Sequence, residues 1–101
     1  MVLNVEKYVG NGYTVENGRK VHDLLASQLS STHFVTVSFS WIDAISSSFV
    51  NAAFISLLDT YSIDCIKSKI NFVDSTKPIN QMILKRFVFE TQKRTSLNNA
   101  V

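Results

Sequence analysis

Residues 34–39, Phe-Val-Thr-Val-Ser-Phe, place apolar side chains on both faces of a short strand rich in β-branched and aromatic residues. Such a strand is stable only when both faces are covered, which points to a central position in a sheet flanked by helices. After a loop at residues 40–45 come Ser46, Ser47 and Ser48. They are followed by Phe49, Val50, Ala52, Ala53, Phe54, Ile55, Leu57 and Leu58. That run is apolar nearly all round, so it predicts the most buried helix of the chain. The serines before it are natural N-cap residues.

The flanking segments repeat the alternation of strand and helix. Residues 2–9 mix Val2, Leu3, Val5 and Val9 with polar positions in near-alternation and predict a strand. Gly10, Asn11 and Gly12 predict a turn, and Tyr13, Thr14 and Val15 a short second strand or extended lead-in. Val21, Leu24, Leu25 and Leu29 recur at helical spacing, so a helix runs to about Ser30. Residues 63–69 read as a connection with at most a helical turn, and residues 69–73 as a further strand. Asp74, Ser75 and Thr76 followed by Pro78 form a helix start. Ile79, Met82, Ile83 and Phe87 then make one apolar stripe of a helix expected to end near Gln92. Strands alternating with helices predict an α/β domain with a mostly parallel or mixed sheet of about four strands.

A chain of 101 residues supports one core. Residues 1–94 are expected to form a single domain and residues 95–101 a flexible polar tail. The formal net charge of +2 is too small to indicate nucleic acid by itself. The basic residues gather only at Lys85, Arg86, Lys93 and Arg94, which read as a solvated helix face. The single cysteine, Cys65, has no internal disulfide partner and reads as a structural thiol in a reducing compartment. Two histidines and one cysteine give no metal-ligand pattern, and no cofactor motif is present. Ser48, His33 and Asp43 lack the spacing of a nucleophilic triad, and no Gly-rich elbow surrounds a serine. The expectation is a non-enzymatic cytoplasmic protein without signal peptide or membrane span.

Four elements at residues 35–54 together resemble STAS-type domains. They are the strand at 35–39, the loop ending in Ile45, the pair Ser47-Ser48, and Phe49 opening a helix. More closely, the pattern is similar to the STAS-like family of bacteria and phages. Ile70, Asn71, Phe72 and Val73, followed by a helix with Ile79 and Ile83, extend the resemblance over roughly residues 18–90. It implies a small STAS-like domain. STAS domains of the anti-sigma-antagonist kind work by partner switching: the domain binds a kinase-like ATPase, and phosphorylation of a serine at a helix start breaks the contact. The resemblance places the phosphoacceptor at Ser48. Ser46 stands where those proteins carry Asp, and Phe49 where they carry Gly.

Trp41, Ile42, Ser46, Ser47 and Ser48 therefore form the expected partner-binding set, with Trp41 and Ile42 as anchors if exposed. The serines have a structural duty as caps, and one can cap while its neighbour faces a partner. Two other functions stand beside partner switching. One is a small phage or mobile-element inhibitor that covers a host protein. The other is weak nucleic-acid binding through the basic residues near the C-terminus. Self-association into a homodimer stays open.

Overall fold

A computed structural model describes residues 1–31 and 33–99. The order of elements is β1 (Val2–Asn4), α1 (Val5–Val9), α2 (Val15–Ser30), β2 (Val35–Ser38), α3 (Ser47–Ala53), a 3-10 helix (Ile55–Asp59), α4 (Ile63–Lys69), β3 (Ile70–Val73) and α5 (Lys77–Asn99). The three strands form a parallel sheet in the order β1-β2-β3. The strand expected at 34–39 is β2 and is central, paired through Leu3 with Val37 on one side and Val37 with Phe72 on the other.

Capping side chains explain why there are three strands rather than four. Asn4 accepts the Lys7 N–H at 2.9 Å, so the segment expected as one strand over 2–9 turns helical at Val5. Thr14 does the same for the Asn17 N–H at 3.0 Å. Tyr13 to Val15 therefore launches α2 instead of pairing with a strand. Ser62 accepts the Cys65 N–H at 3.1 Å and turns the expected connection at 63–69 into α4. The apolar run after the serines divides at Phe54 into α3 and the 3-10 helix, but both halves are buried. The last helix continues past Gln92 to Asn99, and Ala100 and Val101 lie outside the described residues.

Phe39, Phe49, Phe54 and Phe72 join the layers. Phe54 meets Phe72 edge-on at 5.2 Å, Phe49 at 6.1 Å and Phe39 at 6.4 Å, while Phe39 stacks on Phe72 at 6.1 Å. α2 packs chiefly on α3, and at Gly18 the two helices leave no room for a side chain. α5 rests on α3 and the 3-10 helix. Arg94 ties it down by donating to Asp59 Oδ1 at 2.8 Å, Glu90 Oε1 at 3.0 Å and the Leu58 carbonyl at 3.1 Å. The Asp59 and Glu90 carboxylates hold this guanidinium protonated beyond its ordinary range. Cys65 is half-buried with a free thiol. Among the described residues, no single helix is long and apolar enough to cross a membrane.

Candidate functional site

In open parallel sheets, ligands and partners meet the loops at the carboxyl ends of the strands. Here those loops are held in a defined shape. β2 ends at Ser38, a buried polar residue. Its hydroxyl donates to Asp74 Oδ2 at 2.8 Å and accepts the Ser40 N–H at 3.3 Å. The Ser40 hydroxyl donates to the same carboxylate oxygen at 3.2 Å. The Phe39 N–H reaches the Val73 carbonyl at 3.1 Å, so the ends of β2 and β3 are fastened together.

This bracing fixes the turn at residues 39–42, closed by the Ile42 N–H donating to the Phe39 carbonyl at 2.9 Å. Trp41, the third residue of that turn, has φ 67°. A positive φ at this position is normally supplied by Gly or Asn, because a Cβ crowds the backbone there. Asp74, across the network, has φ 54°. Trp41 is 89% exposed, so its strained backbone is not compensated by packing. Ile42 points the other way and is buried in the core. The turn thus divides the two expected anchors: Trp41 is presented to solvent, and burial takes Ile42 out of the accessible surface.

The serine run divides as well. Ser46 is the N-cap of α3: its hydroxyl accepts the Phe49 N–H at 3.0 Å and donates to the Tyr13 carbonyl at 2.8 Å. Its own N–H donates to the Gly12 carbonyl at 2.8 Å. Ser46 is therefore committed to holding α3 against the loop before α2. We expect Ser46→Ala to cost about 1 kcal/mol from the lost cap, lowering Tm by about 4–8 °C at this chain length. Ser47→Ala, at an exposed position, should stay within about 0.5 kcal/mol. Paired thermal melts check both.

Ser47 and Ser48 are exposed on different sides of α3. Ser47 borders a hollow with Pro78, Gln81 and Lys85 of α5. Ser48 lines a groove with Arg19 and His22 of α2 and Asn51 and Ser56 of its own side. In that groove the Ser56 hydroxyl lies 2.7 Å from His22 Nδ1 and 2.7 Å from the Ala52 carbonyl. With one hydroxyl proton to share, Ser56 can donate to only one of these two acceptors at a time. Among the described residues no carboxylate orients the His22 ring, so the pair lacks the third member of a hydrolytic triad. Among the same residues no group of three or more His, Cys, Asp or Glu could hold a metal ion.

The network of Ser38, Ser40 and Asp74 is the part that sequence reasoning missed. Its one available signal was a serine at the end of a buried strand, with an aspartate directly after the next strand. No curated protein and no solved structure matches the chain. Residues 17–80, more than half of the chain, match the family described as "STAS-like domain of unknown function (DUF4325)". That span runs from α2 through α3 and β3 to the start of α5, and includes Ser38, Trp41, Ser48 and Asp74. By this match the chain belongs to the family of STAS-like domains.

Proposed function

We propose that this domain is a non-enzymatic, protein-binding regulatory module that engages its partner at the carboxyl end of the sheet. Trp41 is the anchor. The observation that carries the proposal is the exposure of this one tryptophan on a left-handed turn braced by Ser38, Ser40 and Asp74. A large aromatic held in a costly conformation without core contacts is suited to be buried by another molecule. The partner implied by the STAS resemblance is a kinase-like ATPase, with Ser48 as the switch. A phosphate on Ser48 would add about −1.5 to −2 charges to the groove that Ser48 lines with Arg19 and His22, and would expel an apolar partner that reaches it.

Because Trp41 is the sole tryptophan, its emission reports docking directly. The partner is captured from native cells, identified, purified and titrated against the full chain. The expected result is a blue shift on binding, with affinity reduced at least tenfold in Trp41→Ala and in Ser48→Asp at unchanged Tm. Normal binding by both variants would show that the partner docks elsewhere.

A further inference from the structure

The longest helix carries apolar residues that it does not bury. Ile79, Ile83 and Phe87 recur one turn apart on α5 and face the core. Leu84, Val88 and Phe89 are instead 64%, 44% and 54% exposed. Together with Lys85 they line a shallow trough along the outer face of the helix. Leu84 also lines a deeper cleft of about 280 Å³, walled by Ile63 and Ile66 of α4, Ile70 and Phe72 of β3, and Phe87 of α5. Cleft and trough therefore meet at Leu84. They make one apolar surface that starts beside the edge strand β3 and continues up α5.

The charges on this surface have one sign. Lys67 lines the cleft and Lys85 the trough, and among the described residues no carboxylate lines either. Glu90 is the single acidic residue of α5. It is half-buried and paired with Arg94 at 3.0 Å. A second copy of this face would bring two more lysines and no lining carboxylate to pair with Lys67 and Lys85, which disfavours self-association. An apolar trough with a cationic border fits an amphipathic helix with acidic flanks.

We infer that this α4–β3–α5 surface is a second docking site, and that its occupant is an acidic amphipathic helix of a partner protein. Apolar side chains spaced i, i+3/i+4 and i+7 on that helix enter the cleft and the trough. Its Asp or Glu residues flank Lys67 and Lys85. The site is separate from Trp41 and does not rest on the partner-switching proposal.

The probe is a synthetic helical peptide with Leu at that spacing and Glu and Ala elsewhere, titrated into the full isotope-labelled chain. A twin peptide carries Lys in place of Glu. The acidic peptide should shift amide signals of α4, β3 and α5. Its affinity should fall at least tenfold in Leu84→Ser and in Lys85→Glu and weaken with added salt, while Trp41→Ala leaves it unchanged. Both substituted side chains are exposed, so Tm should hold. Equal binding of the Lys twin, full binding by Leu84→Ser, or shifts confined to other elements would overturn the inference. So would a dimer of the free chain that Leu84→Ser converts to monomer, because the occupant would then be a second copy.

Discussion

Phe54→Ala is expected to destabilise the domain by about 3–5 kcal/mol, the usual cost of emptying a phenylalanine site in a core. Phe54 is fully buried and its ring meets Phe39, Phe49 and Phe72. Those rings come from the end of β2, from α3 and from β3, so one truncation loosens the sheet and its covering helix together. Aromatic pairs contribute about 0.5–1.5 kcal/mol each beyond area burial, and three are lost at once. Domains of ordinary stability hold about 5–15 kcal/mol in total, so the variant should approach the unfolding threshold. Urea denaturation measures the loss, read as a lower midpoint at constant slope. Phe54→Leu keeps most of the volume and should cost far less. A loss below about 1 kcal/mol for the alanine variant would mean that the site collapses around the gap.

Gly18→Ala is the second large effect, and its sign is the informative part. In an unobstructed helix interior, alanine in place of glycine gains up to about 1 kcal/mol. Gly18 lies inside α2, but a Cβ there would sit 2.7 Å from Ala52 Cβ and 2.8 Å from the Phe49 carbonyl oxygen. The second obstacle is backbone and cannot rotate away. α2 and α3 would have to separate, and overpacking of this kind costs about 1–3 kcal/mol. The net change should be destabilising by about 1–2 kcal/mol. Ala52→Gly removes only the side-chain obstacle, so it should recover part of the loss in the double variant. If Gly18→Ala instead raised Tm, the close approach of the two helices would be disproved.

These two residues show where sequence patterns carry structure and where they do not. The buried strand at 35–38 and the apolar run after Ser46 are legible because full burial concentrates apolar residues, and the stripe of Ile79, Ile83 and Phe87 because one-sided burial writes a period into the sequence. The short elements were not. α1 and α4 depend on one capping hydroxyl or amide each, from Asn4 and Ser62, and a single cap is a weak signal against an alternating or irregular pattern. No local pattern announces the contact at Gly18, which only the packing of α3 against α2 reveals.

The candidate site divides in the same way. Ser46 as a cap follows from local rules. Asp74 pairs with Ser38 and Ser40 across separations of 36 and 34 residues, which no local pattern announces. Nothing in a tryptophan signals a left-handed backbone, and Trp41 and Ile42 look equivalent until the turn sends one outward and one inward.

The conformation of Trp41 has a consequence for anyone who redesigns this domain. A non-glycine residue in that region carries roughly 1–2 kcal/mol of backbone strain, and here little burial offsets it. A procedure that ranks substitutions by thermal stability would replace Trp41 with glycine early. Under the proposed role, the same replacement deletes the recognition element. Position 41 is thus where robustness and recognition draw the sequence in opposite directions, and stabilised variants of this domain should be screened for binding before they are used as substitutes for it.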